Sequence, residues 1–235
     1  MKGLAIGGLT PFTTVDYPGQ HAAVIFCQGC SWRCPYCHNA HLWGHTSPTS
    51  LNWLLIMDFL RERQGLLDAV VFSGGEPLIQ EGLPEAMREV RAMGYHVGLH
   101  TGGSHPERLR RVLPLVNWIG FDVKAPWNRY DEITRNSGSA AKAQESLLAI
   151  LGHGVPFEVR TTVHSGLLSS QDLHLMAKNL EELGIRDWVL QDFRNQGCAE
   201  MSLVNTTETF LTPEAMPING NRLHVHKRDP FGMAS

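Results

Sequence analysis

Short apolar runs recur along the chain at Ala22–Cys27, Ala69–Ser73, Tyr95–His100, Trp118–Lys124, Phe157–Val163 and Trp188–Phe193, each of a length that suits a buried strand. Between them the apolar positions take helical spacing, most clearly over Leu51–Gln64, Pro84–Met93 and Gln171–Leu183. Gly65, Gly94 and Gly184 directly follow these three stretches, and a glycine there supplies the left-handed residue that closes a helix. Ala140–Leu151 is a further such stretch, stopped by Gly152, and Ser104-His105-Pro106-Glu107 has capping-box spacing ahead of Leu109 and Val112. Strand and helix thus alternate about six times. Parallel strands need helical crossovers of this kind, so the pattern predicts an α/β fold, either an open doubly wound sheet or a barrel. A single domain is expected over 1–235, with its core over about 20–193. The stretch from about 195 to 235, which includes LTPEAMPINGN, reads as an irregular tail.

At 235 residues and 43% hydrophobic content the chain can bury one sizeable core. The net charge of -3 comes without a long run of either sign, so there is no electrostatic footprint for nucleic acid or an anionic membrane, and a protein or small-molecule partner is expected. The N-terminal stretch is too broken for a secretory signal and no run approaches a membrane span. A cytoplasmic location follows as the expectation. Thiols stay reduced there, and clustered cysteines serve as metal or redox groups.

Polar and glycine-rich residues gather just after the strands. They are the cysteine loop after the first, Gly74-Gly75-Glu76 after the second, His100-Thr101-Gly102-Gly103 after the third, and Asp122 and Lys124 at the end of the fourth. That is the edge where parallel α/β folds keep their active sites.

The cysteine loop, CQGCSWRCPYCHN from Cys27 to Asn39, holds all but one of the chain's 5 cysteines. Structural zinc sites pair two cysteine hairpins across a dozen or more residues, whereas only Ser31, Trp32 and Arg33 separate Cys30 from Cys34. An iron–sulfur cube offers irons on separate corners, which a tight loop can reach with such gaps, so a [4Fe–4S] cluster is favoured over zinc. Four thiolates would saturate every iron and make an electron carrier; three would leave one iron open to a substrate. Spacing alone allows either Cys27, Cys30 and Cys34 or Cys30, Cys34 and Cys37 as a three-ligand set.

Cys30-x3-Cys34-x-Tyr36-Cys37 resembles the CxxxCxΦC loop of the radical S-adenosylmethionine (SAM) superfamily, and Val70–Pro77, containing Gly74-Gly75-Glu76-Pro77, resembles its GGEP segment. The resemblance implies that Cys30, Cys34 and Cys37 hold the cluster, that SAM chelates the fourth iron, and that Tyr36 lies near the adenine. It leaves Cys27 and Cys198 as small buried residues. Thr14-Val15-Asp16-Tyr17-Pro18-Gly19, Phe26–Cys30 and Tyr36-Cys37-His38-Asn39 further resemble the activating enzymes of glycyl radical proteins, and most of all the anaerobic ribonucleoside-triphosphate reductase activating proteins. What this implies is a (βα)6 partial barrel and reduction of the cluster by flavodoxin or ferredoxin. SAM would then be cleaved to a 5′-deoxyadenosyl radical that abstracts hydrogen from a glycine of a partner glycyl radical enzyme.

The Glu76 carboxylate, beside two glycines, can accept hydrogen bonds from an ammonium group. Phe121-Asp122-Val123-Lys124 resembles the family's DxK, which implies Asp122 near a cation or SAM and Lys124 toward the SAM carboxylate, and Arg160 is a further candidate to bind a carboxylate bidentately. Gln191 is a candidate adenine contact. Phe26, Trp32, Phe72 and Val163 are candidates for a water-excluding shell, and Trp43, Trp53 and Trp188 for packing. His100 departs from the acidic residue that several such activases carry before Thr-Asn-Gly or Thr-Gly-Gly. Two other readings stay open: a radical SAM enzyme acting on a small molecule, or a non-enzymatic iron–sulfur carrier or zinc-stabilised scaffold, with His38, His41 and His45 as further zinc ligands.

Overall fold

The computed structural model describes residues 3–46, 51–204 and 223–228, and LTPEAMPINGN lies outside them. In chain order the elements are β1 (Ile6–Thr13), β2 (Ala22–Cys27), α1 (Trp53–Glu62), β3 (Ala69–Gly74), α2 (Leu83–Ala92), β4 (His96–Thr101), α3 (Pro106–Val112), β5 (Trp118–Asp122), α4 (Tyr130–Thr134), α5 (Ser139–His153), β6 (Phe157–Val163), α6 (Ser170–Glu182), β7 (Asp187–Asp192), α7 (Met201–Val204) and β8 (His224–Arg228). They fall into two compact units, one of Met1–Ser31, His41–Phe121 and Ala141–Phe157, the other of Trp32–Ala40, Asp122–Ala140 and Glu158–Ser235.

In the first unit, strands β2 to β5 pair in parallel in sequence order, with Ala22 opposite Ala69 and Val70 opposite Val97. Helices α1, α2 and α3 make the crossovers, as the alternating pattern requires. Ala22, Val24, Ala69 and Val71 form a core cluster with Tyr17 and Trp118, whose rings meet at 5.2 Å, and Phe26 packs against it. Trp53 lies over Phe72 and gives its indole N–H to Glu89 at 2.9 Å, which joins α1 to α2.

The second unit holds β6, β7 and β8, also parallel, with Arg160 opposite Val189 and Gln191 opposite Arg228. Trp188, fully buried, donates its indole N–H to Thr161 Oγ1 at 2.9 Å, and that hydroxyl donates to the Val123 carbonyl at 2.6 Å. A buried polar chain in which each group has its partner pins β7 to β6 and to the segment after β5.

The six expected strands and their crossover helices are present, with shifts of one or two residues at their ends. Two strands were not legible. β1 runs antiparallel to β2 with register shifts between Ile6 and Gly8 and between Thr10 and Thr13, because Gly7, Gly8 and Pro11 interrupt its alternation, a composition that suits an edge strand. β8, in the stretch read as irregular tail, is the polar run HVHKR and exists through its pairing with β7. The capping box expected at Ser104 is absent: Pro106 opens α3 as its first residue, so His105 takes the cap position and Ser104 Oγ bonds the His105 ring at 2.7 Å. The reciprocal box forms at Ser169 and Asp172, ahead of α6. Helix α5 runs past Gly152, and Gly154 takes the left-handed position instead.

Candidate active site

The first unit brings the start of the cysteine loop onto the glycines that follow β3. Gly75 N–H donates to the Cys27 carbonyl at 3.0 Å, and Glu76 N–H to the Gly29 carbonyl at 2.8 Å. Gly29 N–H and Cys30 N–H in turn donate to the carbonyls of Leu42 and Trp43, at 2.7 and 3.3 Å. A Cβ on Gly74 would lie 2.4 Å from the Cys27 backbone and one on Gly75 2.2 Å from the Gly29 oxygen. Here the bare backbone at this pair admits the neighbouring loop. Cys27 closes β2 with no exposed surface, and burial followed by the nearby Glu76 charge pushes its thiol pKa far up.

Glu76 is buried, 3% exposed, and its carboxylate turns toward the end of β4. Oε1 accepts from Leu78 N–H at 3.1 Å and from the Thr101 hydroxyl at 2.7 Å, while Oε2 accepts from Gly102 N–H at 3.1 Å. It caps the short helical turn Pro77–Ile79 and ties the loop after β3 to the loop after β4. His100 is committed elsewhere, its ring Nε2 lying 2.8 Å from the Asp16 carbonyl.

In the second unit Asp122, Lys124 and Arg160 form one ionic group. Arg160 gives Nε and Nη2 to Asp122 Oδ1 at 3.1 and 2.9 Å, and Lys124 Nζ stands 3.5 Å from Oδ2. Two cations share one carboxylate, so the group carries net positive charge. Backbone pairing explains the placement: Val123 N–H bonds the Arg160 carbonyl at 2.9 Å, which sets β6 beside the segment that carries Asp122 and Lys124. The Lys124 ammonium also lies 5.9 Å from the ring centroids of both Trp32 and Tyr36, an arrangement that aromatic faces favour. Burial works against its charge, but Tyr36, Asp122 and Cys34 around it hold its pKa above the ordinary lysine value.

Cys34 is buried and its thiol is pushed up to about 11, chiefly by burial, with Lys124 pulling the other way. A thiolate at such a position needs a positive partner to exist, and a metal supplies one. None of the five cysteines is in a disulfide; Cys30 is described with the first unit, Cys34 and Cys37 with the second. The donor set, three thiols on one loop with Cys30 and Cys37 partly exposed, fits an iron–sulfur cube, whose ligands reach separate irons. Among the described residues no three His, Cys, Asp or Glu side chains gather around one point as a single metal ion requires. Of the histidines that follow the loop, His38 accepts from Arg194 N–H at 3.2 Å, while His41 is exposed and joins the scaffold through its carbonyl, which receives Gln28 Nε2 at 3.3 Å.

Sequence reasoning missed the segment around Cys198, which runs along Pro35–His38 in the second unit. Only the odd cysteine and the adjacent glycine could have signalled it.

Similarity to known proteins agrees with this geometry. The sequence profile of the Radical SAM superfamily matches residues 24–175. The chain is 31% identical over 205 residues to a protein of Methanocaldococcus jannaschii named as a glycyl-radical enzyme activating enzyme, covering 82% of this chain and 81% of that one. It is 33% identical over 117 residues to the pyruvate formate-lyase-activating enzyme of Clostridium pasteurianum, over 47% of this chain and 48% of the relative, so it spans about half that relative's length. The crystal structure of QueE from Escherichia coli superposes with a TM-score of 0.53 at 18% identity, over 87% of this chain and 91% of that one, a likeness of fold.

Proposed function

The chain belongs to the radical SAM superfamily, whose cofactors are a [4Fe–4S] cluster and SAM, and to its glycyl-radical-enzyme activating type; from that premise we propose that it installs the radical on an anaerobic ribonucleoside-triphosphate reductase. Its fold is the α/β partial barrel of that superfamily, and enzymes of the activating type act on a glycyl radical enzyme as partner.

In this reading Cys30, Cys34 and Cys37 hold the cluster, and Lys124 and Arg160, oriented by Asp122, receive the methionyl carboxylate. The observation that carries it is the Asp122–Lys124–Arg160 group, a net positive site beside the Cys34 thiol and the Tyr36 ring. A guanidinium and an ammonium held by one aspartate keep their donors oriented while retaining surplus charge for an incoming carboxylate. The Tyr36 and Trp32 rings restrict water around Lys124, and Tyr36 is the ring proposed to lie near the adenine. Gly74, Gly75 and Glu76 contribute through the loop they shape, since the Glu76 oxygens are engaged by Leu78, Thr101 and Gly102. When bound, the cluster and SAM supply one-electron cleavage of the sulfonium and hydrogen abstraction from the target glycine.

A flavodoxin or ferredoxin is the proposed electron donor. Among the described residues no helix is long and apolar enough to cross a membrane, and five cysteines outside any disulfide suit a reducing cytoplasm. Incubation of the reconstituted protein with SAM, reductant and anaerobic ribonucleotide reductase under argon should produce the electron paramagnetic resonance doublet of a glycyl radical. A doublet with pyruvate formate-lyase and none with the reductase would reassign the partner, and SAM cleavage that no glycyl radical enzyme affects would favour a small-molecule substrate.

A further inference from the structure

From Phe193 to Leu203 the chain leaves β7 and runs along the end of the cysteine loop. Ala199 N–H donates to the Cys37 carbonyl at 2.9 Å, Arg194 N–H to His38 Nε2 at 3.2 Å, and the Cys198 thiol lies 3.5 Å from the Pro35 carbonyl. Gly197 comes so close that a Cβ there would sit 2.3 Å from the His38 oxygen. Both ends of the segment are fastened to one side chain. The Phe193 ring meets the His164 imidazole edge-on at 4.8 Å, and His164 Nε2 donates to the Leu203 carbonyl at 3.1 Å. Gly166 N–H donates to His164 Nδ1 at 3.0 Å, which leaves the ring proton on Nε2. His164 is 2% exposed and Leu203 8%, so these anchors are buried. Arg135 pairs with Glu200 along the segment.

We propose that Phe193–Leu203 is a retaining strap that fixes the backbone of Cys37 and His38 and slows the escape of the metal group held by the cysteine loop. The inference rests on Cys37 being a ligand. A thiolate leaves iron when its backbone swings away, and here that swing must break the contacts to Ala199 and Arg194 and lift a segment closed at both ends. Cys198 is a strap residue, placed by its backbone and a weak thiol contact. Gly197 and Ala199 are positioning residues, acting through Cys37.

Two glycines make the test. Gly197 has φ 76° and Gly184 φ 79°, but a Cβ at Gly184 meets nothing within 4 Å. Gly197→Ala and Gly184→Ala therefore share backbone strain and differ in the clash with His38. Reconstituted holoprotein would be challenged with an iron chelator under argon and the loss of cluster absorbance followed. Gly197→Ala is expected to lose iron about tenfold faster than wild type, as expected for losing one or two hydrogen bonds, and Gly184→Ala at the wild-type rate. The paramagnetic resonance signal of the reduced cluster should change in Gly197→Ala and not in Gly184→Ala. Should Gly197→Ala not fold, Glu200→Ala, which cuts the contact to Arg135 at the surface, should still release iron about twofold faster. Equal release from the variants and wild type would overturn the strap. Full iron content in Cys37→Ala would instead sink the ligand assignment beneath it.

Discussion

A Cβ on Gly75 would lie 2.2 Å from the carbonyl oxygen of Gly29, a backbone atom that cannot rotate aside. The loop after β3 therefore serves as the bed on which the first part of the cysteine loop rests. Gly75→Ala must push the two loops apart and break the Glu76 to Gly29 hydrogen bond. We expect a loss of about 2 kcal/mol or more in chemical unfolding of the apoprotein, together with lower iron content after reconstitution.

Glu76→Gln tests the inward carboxylate. Glutamine keeps one acceptor but points an NH2 group at a donor, either Gly102 N–H or Leu78 N–H with the Thr101 hydroxyl. Leaving a buried donor unpaired should cost about 1–3 kcal/mol. Urea denaturation of the apoprotein measures it, and a change below a few tenths of that size would show that water takes over the role.

Alanine at each loop cysteine separates ligand from strand residue. Cys30→Ala, Cys34→Ala and Cys37→Ala should each fail to retain a [4Fe–4S] cluster. Cys27→Ala should retain it, with a packing loss of about 1 kcal/mol at its buried position. Iron and sulfide assays after anaerobic reconstitution decide, and a cluster lost on changing Cys27 would point to the four-ligand arrangement.

Arg160→Met leaves Asp122 facing Lys124 alone and removes the surplus charge of the group. SAM should then bind about tenfold or more weakly to the reconstituted protein, read by calorimetric titration, with circular dichroism as the check on folding. Unchanged affinity would remove Arg160 from the site.

A pH-dependent contribution is expected at the start of α6. Burial alone would raise the Asp172 pKa, but hydrogen bonds from the Ser169 N–H and hydroxyl and the Arg129 guanidinium outweigh it and hold the carboxyl below its usual value. A group whose pKa falls on folding stabilises above its unfolded value and loses that contribution as pH drops through the folded one. Asp172→Asn should thus cost about 1 kcal/mol at neutral pH, and the gap from wild type should close once the pH is well below about 4. Thermal unfolding of the apoprotein at pH 7 and pH 3 would test the sign.

Among the sequence readings, those that depended on neighbours in the chain hold up. Ala22–Cys27 and Phe157–Val163 have the bounds their apolar runs suggested, and Gly65, Gly94 and Gly184 all have the left-handed φ of helix closure. One local reading is the exception and failed for a local reason, since Pro106 sets where α3 begins and takes the capping role from Ser104. The other failure was of the opposite kind: the polar run His224–Arg228 becomes a strand because β7 offers it an edge.

By itself the sequence determined the order of strands and crossovers, the residues standing after each strand, and the spacing of the thiols, since all of these follow from periodicities of two to four residues and from local turn chemistry. Tertiary structure decided that Gly75 admits a loop, that Glu76 faces Thr101 and Gly102, that Asp122 is shared by Arg160 and Lys124, and that Gly197 lies against His38. Apart from the Asp122–Lys124 pair, each of those contacts joins segments far apart in the chain. Their registry is set by the packing of whole elements, and packing writes no periodic signal into a single sequence.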